Sequence, residues 1–348
     1  MWSIDNLDKF SQEIQEHFTD GLAIIIGSGL SVGEGLPGMW DLGKQLQQEI
    51  PKLLTSTNET WDKIAELLEA DVNLEEALTR AIPDKEVEEH IVNVTGDYIQ
   101  KKEKETISKV FSENKQLKLT GLLNNILVTA EGLPIITTNY DRLVEVAVEA
   151  AGLGADTAFV GNYAGSYNPQ ESKFSFCRGV EQRLRKATLQ HKRRAIVCKP
   201  HGSLDWYMLG NNPVRSSFDL DSPRLIITPG LNKYRTGYER PFDGHREIAN
   251  KYIDLSRQYL IIGYGFADSH LETHLAAAIR GGKRTLILTH SLSDKAAKIV
   301  AECPNTVAIT IRPKDSSTAQ IVHSTGTRAT LDSPVWDLSE FVTKFLKP

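Results

Sequence analysis

Several protein classes are excluded by what the 348-residue chain lacks. Its three cysteines, Cys177, Cys198 and Cys303, are widely spaced and form no C-x-x-C pair. That excludes a disulfide framework and a cysteine-based zinc site, and it fits a reducing, cytoplasmic compartment. No apolar run approaches membrane-spanning length, and residues 1–20 are polar and amphipathic, with no basic segment leading into an apolar one. A soluble protein with no membrane partner is expected. The net charge of −5 gives no general attraction to nucleic acid. The one basic cluster, residues 183–194, is expected to be a solvated helix face, so direct nucleic-acid binding is not expected. Internal repeats and low-complexity tracts are also missing. What remains, with 40% hydrophobic residues, is enough for a substantial core in one large domain or two modest ones.

The densest signal is Leu22-Ala23-Ile24-Ile25-Ile26, an apolar run too short for a helix and suited to a strand covered on both faces. It runs into Gly27-Ser28-Gly29-Leu30-Ser31. Gly27 and Gly29 allow a sharp turn and a close approach to a ligand, and Ser28 and Ser31 place hydroxyls at a helix start, a setting for an anion or for an ordinary tight turn. Before this strand, Ile4, Leu7, Phe10, Ile14 and Phe18 mark an amphipathic helix over residues 3–19. After it, Gly35-Leu36-Pro37-Gly38-Met39-Trp40 reads as a loop whose tryptophan either covers a ligand or fills a core gap. Residues 42–125 are helical and charged, an insertion whose composition does not say whether it covers a pocket or forms an interface.

Strand signals resume at Leu133-Pro134-Ile135-Ile136-Thr137-Thr138, followed by Asn139-Tyr140-Asp141. They recur near residues 157–160 and at Ala195-Ile196-Val197-Cys198, which leads into Lys199-Pro200-His201-Gly202-Ser203. Further strands are expected at 225–228, at 259–262 before Gly263-Tyr264-Gly265, at 285–289 before His290, and at 307–311, with helices at 268–280, 293–302 and 338–346. Buried strands alternating with helices predict a doubly wound, Rossmann-like, mostly parallel α/β sheet with helical insertions. Ligands bind at the carboxyl ends of such strands, where five polar or glycine-rich segments would converge. The dehydrogenase fingerprint fits poorly, because helical sequence fills the interval where a second strand and its acidic residue belong. Asp268, His270 and His274 share a predicted helix, but with no third close ligand and no H-E-x-x-H glutamate a metal site is not expected.

From residue 22 to the C-terminus these segments together resemble the sirtuins, and more closely the bacterial sirtuin-like domains of NAD-depleting anti-phage systems. Gly27-Ser28-Gly29-Leu30-Ser31 stands where sirtuins have G-A-G-I-S, and Gly35-Leu36-Pro37 is similar to G-I-P. Thr137-Thr138-Asn139-Tyr140-Asp141 resembles T-Q-N-I-D, and His201-Gly202 falls on the catalytic histidine and its glycine. Gly263-Tyr264-Gly265 is similar to the later G-T-S segment, and Thr289-His290 falls at a strand end near the adenine ribose. Two departures stand out. The paired C-x-x-C zinc module is missing, and Gly38-Met39-Trp40 replaces D-F-R.

The resemblance implies one catalytic domain spanning the chain, with Asn139, His201 and Asp141 catalytic. NAD would be held as substrate, without a metal, by Gly27, Ser28, Gly29, Leu30, Ser31, Pro37, Trp40, Thr138, Gly263, Tyr264, Gly265, Thr289 and His290. The departures point to an NAD glycohydrolase releasing nicotinamide and ADP-ribose, with a protein deacylase or a silent NAD- or ADP-ribose-binding module as alternatives. The resemblance further implies a toxic effector of anti-phage defence, a homo-oligomer controlled by self-association or by a separate partner such as a HerA-type ATPase or a short Argonaute. Asp141 also suits the N-cap of the helix that follows it.

Overall fold

The structure is a computed structural model that describes residues 2–3, 6–183, 186–230, 240–326 and 328–347. In chain order the first strands are Leu22–Ile26 (β1), Leu133–Thr137 (β2), Gly154–Asp156 (β3), Phe159–Val160 (β4), Ala164–Tyr167 (β5), Cys177–Arg183 (β6), Lys186–His191 (β7) and Arg194–Cys198 (β8). They continue with Gly202–Leu209 (β9), Asn212–Ser216 (β10), Arg224–Ile226 (β11), Gln258–Ile262 (β12), Arg284–Leu288 (β13), Thr306–Arg312 (β14), Asp315–His323 (β15) and Arg328–Leu331 (β16).

Nine of them form one sheet in the order β16-β15-β14-β13-β12-β1-β2-β8-β3. Every pairing from β14 to β3 is parallel, and β15 and β16 close one edge antiparallel. This is the doubly wound α/β architecture expected from the alternation of strands and helices. The chain builds outward in both directions from β1, so the strand order reverses between β1 and β12. That reversal opens a crevice at the carboxyl ends of the two strands.

The alternation of side chains in β1 shows how the layers form. Ile24 and Ile26 join the core under the helices Leu7–His17, Lys118–Leu123, Leu143–Ala150 and Leu338–Phe341. Ala23 and Ile25 join the core under Phe242–Leu255, Ser269–Arg280 and Asp294–Glu302. A strand buried on both faces has no polar position to offer, which is why β1 reads as an unbroken apolar run. In the first helix Phe10 and Ile14 are buried and Leu7 is exposed; Ile4 lies outside the described residues. Among the described residues no helix is long and apolar enough to cross a membrane.

Three sequence expectations are corrected. The basic stretch 183–194, expected as a helix, instead comprises the end of β6, all of β7 and the start of β8, and β7 pairs antiparallel with β6, Leu189 opposite Val180 and Thr188 opposite Glu181. Its β-branched and alternating residues suit a ribbon better than a helix. Second, β11 leaves the large sheet and joins a five-stranded antiparallel sheet, β11-β9-β10-β5-β4, of which only β4 and β11 fall on expected strands. Trp206, Phe159, Leu225 and Phe242 form the core of this second sheet. Third, the antiparallel edge strands β15 and β16 were not anticipated, because their polar alternation is weak beside the apolar parallel strands.

The helical stretch comprises Met39–Leu53, Glu59–Glu69, Leu74–Arg80 and Lys85–Ser112, followed by Lys118–Leu123. The first four share their own apolar cluster, built around Leu46, Trp61, Ile64, Leu78 and Ile91. The long helix Lys85–Ser112 is tied to the large sheet at Glu103, which is fully buried and receives Arg142 Nε at 3.0 and 3.2 Å on its two carboxylate oxygens.

His17 supplies a test of packing at the base of the sheet. Its ring is wholly buried beside Trp2, and its Nε2–H donates to the Tyr259 carbonyl at 2.8 Å. Burial pushes its pKa from 6.5 down to about 3. The unfolded chain therefore binds a proton here that the folded chain refuses. Stability is fully present above pH 6.5 and is lost as pH falls toward 3, by about 1.4 kcal/mol per pH unit for this group. In denaturant unfolding measured from pH 7 to pH 5, the acid-side slope is expected to be shallower by about one proton in His17→Gln than in the wild type. Equal slopes would remove His17 as its source.

Candidate active site

Register brings the polar strand ends to one level. Ile26 lies opposite both Thr137 and Ile262, and Ile136 lies opposite Cys198. The residues that follow β1, β2, β8 and β12 therefore emerge side by side at the crevice. They line a cavity of about 240 Å³ whose wall includes Ser31, Asn139, Asp141, His201, Tyr264 and Asp268.

The glycines of the two turns act first on each other. Gly27 N–H donates to the Ile262 carbonyl at 2.9 Å, and Gly29 N–H to the Gly263 carbonyl at 3.0 Å. A Cβ on Gly27 would lie 2.6 Å from Tyr264 Cα, and one on Gly263, where φ is +55°, would lie 2.6 Å from Gly29 Cα. The turns thus touch backbone to backbone, and the amides of Gly27 and Gly29 are spent on that contact.

Behind this contact runs a buried polar chain. Asn139 Nδ2 donates to the Gly27 carbonyl at 3.0 Å and to Ser31 Oγ at 2.8 Å, and Ser31 Oγ donates to Asp141 Oδ2 at 2.7 Å. The Gly27 carbonyl can only accept, which fixes the orientation of the Asn139 amide. With both amide protons engaged, Asn139 keeps Oδ1 as an acceptor. Asp141 Oδ1 accepts from Leu143 N–H at 3.2 Å, so its carboxylate anchors the chain and satisfies the first amide of the next helix, whose N-cap position is Arg142 rather than Asp141.

His201 sits where the chain leaves the large sheet for the small one. Gly202 N–H donates back to the Lys199 carbonyl at 3.0 Å, closing a turn that presents His201 to the cavity. Leu204 N–H holds that turn to the β2 loop through the Tyr140 carbonyl at 3.0 Å. Beneath it, the buried Lys199 ammonium donates to the Asp141 carbonyl and pairs with Glu145 at 3.1 Å. Burial raises the Glu145 pKa, and the Lys199 charge offsets part of that rise. Across the cavity, His201 Nε2 meets Asp268 Oδ2 in direct contact. Tyr140 and Tyr264 are both pushed upward in pKa by burial and by neighbouring carboxylates, so both are neutral phenols.

The helical stretch forms part of the wall, which its composition had left open. Leu42, Glu75 and Ile99 line the same cavity. Among the described residues the lining contains Glu75, Asp141 and Asp268 but no lysine or arginine. The described lining is acidic, with His201 as its one imidazole.

Of the residues singled out in the sequence, Gly27, Ser28, Ser31, Pro37, Thr138, Asn139, Asp141, His201, Tyr264 and Gly265 line this cavity. Leu30 does not; its side chain is buried in the core on one face of the sheet. Gly29 and Gly263 support the turns from behind. Trp40 is 65% exposed and carries the Lys44 ammonium 3.5 Å over its ring, so it neither covers the cavity nor fills a core gap. Thr289 Oγ bonds the Ser291 carbonyl at 2.9 Å, and His290 lines a separate cavity of about 520 Å³ beside β14 and β15. The reason is positional: β13 lies beyond β12, one strand further from the switch point. Glu75 and Ile99 also line the cavity but carry no local signal in the sequence, and Asp268 stands out there only for its spacing to His270 and His274. Among the described residues no group of three or more His, Cys, Asp or Glu could hold a metal.

The SIR2-like domain model matches residues 134–307, half of the chain, and the chain belongs to that family. No curated protein sequence matches it. Among solved structures, a mutant Sir2 homologue in complex with 2′-O-acetyl ADP-ribose is similar at 13% identity and a TM-score of 0.44, covering 98% of both chains. A Sir2 bound to an acetylated peptide is similar at 11% identity and a TM-score of 0.36, covering 82% of this chain and 89% of that one.

The glycine contact is testable by stability alone. Gly27→Ala is expected to lower stability by about 1–3 kcal/mol, because backbone rather than a flexible side chain must move. Gly265→Ala, whose added carbon would meet only Ser293 Cβ at 4.0 Å, is expected to stay within about 0.5 kcal/mol of the wild type. Equal denaturation midpoints for the two variants would mean that the turns can separate freely.

Proposed function

We propose that the chain binds oxidised NAD and hydrolyses its nicotinamide–ribose bond, releasing nicotinamide and ADP-ribose. The observation that carries this reading is the acidic pocket in which the Asn139 amide and the His201 imidazole share one wall. The nicotinamide of oxidised NAD is a cation, and the bond breaks through an oxocarbenium-like state that is also positive. Among the described residues the wall has Glu75, Asp141 and Asp268 and no lysine or arginine, which favours both. It suits the nicotinamide end of the dinucleotide rather than the pyrophosphate.

In this reading Asn139 Oδ1, the acceptor left by the Gly27 and Ser31 bonds, holds a ribose hydroxyl or the attacking water. His201 takes the proton. Because the leaving group departs as neutral nicotinamide, no acid is needed to protonate it. Asp141 acts at one remove, by fixing Ser31 and through it Asn139. The family resemblance supports extending the reading to a toxic, NAD-depleting effector of anti-phage defence, held quiet by self-association or by a partner.

The test is nicotinamide release from NAD by the purified protein, without peptide, in each fraction from size-exclusion separation. Asn139→Ala and His201→Ala are each expected to lower turnover by about 100-fold or more. Reduced NAD, whose nicotinamide ring is uncharged, is expected to bind without being cleaved. Wild-type turnover in both variants would overturn these roles, and release that depends on an acylated peptide would favour the deacylase.

A further inference from the structure

In sequence Asp268 stands with His270 and His274 at metal-ligand spacing, but the tertiary structure gives it another companion. His274 is turned to the surface, with Nδ1 3.8 Å from Asp254. Asp268, only 5% exposed, faces the cavity and meets His201 Nε2 through Oδ2. Its other oxygen, Oδ1, accepts from Leu271 N–H at 3.0 Å, and its carbonyl accepts from Glu272 N–H at 2.8 Å. The first turn of the helix Ser269–Arg280 thus holds one carboxylate oxygen in place while the other lies against the imidazole.

An ionised carboxylate can only accept, so the placement of Oδ2 against Nε2 favours the ring form that carries its proton on Nε2 and keeps a lone pair at Nδ1. We propose that Asp268 is a positioning residue that holds His201 in the Nε2–H tautomer and thereby makes Nδ1 the base of the reaction. The proposal rests on the glycohydrolase reading above. As water adds to the anomeric carbon, the C–N bond pair leaves with nicotinamide and Nδ1 accepts the water's proton. The ring is then an imidazolium paired with Asp268, which stays ionised, and the proton passes to solvent after the products leave. One water is consumed, and nicotinamide, ADP-ribose and one proton are formed. The carboxylate serves the ring in both states, orienting the neutral form and stabilising the charged one.

Asp268→Asn separates this role from helix capping, because asparagine caps about as well as aspartate but offers Nε2 either a donor or an acceptor. For this variant kcat is expected to fall by about 100-fold or more while KM for NAD moves by less than about threefold. Long-range nitrogen–proton NMR correlation spectra, with the His201 signals identified by their loss in His201→Gln, are expected to show the Nε2–H tautomer in the wild type and a mixture in Asp268→Asn. Asp268→Glu, which keeps the charge, is expected to restore the Nε2–H pattern. A wild-type ring protonated at Nδ1, or a tautomer that Asp268→Asn leaves unchanged, would overturn the proposal even if turnover fell. Absence of nicotinamide release from every wild-type fraction would instead overturn the glycohydrolase reading, and the spectra would still decide what Asp268 does to His201.

Discussion

The turns after β1 and β12 meet backbone to backbone, Gly27 and Gly29 against Gly263, and the rest of the site depends on that contact. It lies at the reversal of strand order, where two neighbouring parallel strands send their following helices to opposite faces of the sheet. A side chain at any of the three positions would wedge the strand ends apart. With the turns in contact, the Gly27 carbonyl is held where it can accept from Asn139, and Ser31 is placed between Asn139 and Asp141. The glycines therefore act on the pocket through the wall they build.

Electrostatics inside the cavity follow from how the cations are disposed. Lys199 and Arg142 are both close in sequence to pocket residues, yet each is turned away into an ion pair, the buried Lys199 with Glu145 and Arg142 with the buried Glu103. Taking charges out of water is costly unless each is matched, and here each is matched by a carboxylate and, for Lys199, by backbone carbonyls. These pairs tie the β2 loop to the strand beside it and to the long helix Lys85–Ser112. Among the described residues they also leave the cavity wall with carboxylates and one imidazole.

Much of the fold was legible because parallel strands buried on two faces leave an unmistakable record. The apolar runs of β1, β2, β8, β12 and β13 stand out, and the helices between them follow. The second sheet was harder to read. Its strands are antiparallel and, β9 apart, no longer than five residues, and Leu225–Ile226 looks in isolation like one more parallel strand. The basic stretch was misread for a related reason: charge suggests a solvated surface but not which backbone presents it. Trp40 and His290 show the limit for the site. Each stands next to a segment that does reach the cavity, and side-chain direction or one further strand of displacement removes it.

The sequence by itself determined the class of architecture and the residue types at the strand ends, because burial on both faces admits only apolar side chains and a backbone-to-backbone turn admits only glycine. It also placed Asn139, Asp141 and His201 at strand ends. Only the tertiary structure decided which polar groups meet. Strand order put β12 beside β1, register brought four strand ends to one level, and the helical stretch supplied Glu75 and the clamp at Glu103. Contacts between residues as distant in the chain as His201 and Asp268 depend on long-range strand pairing, which no local pattern of residues records.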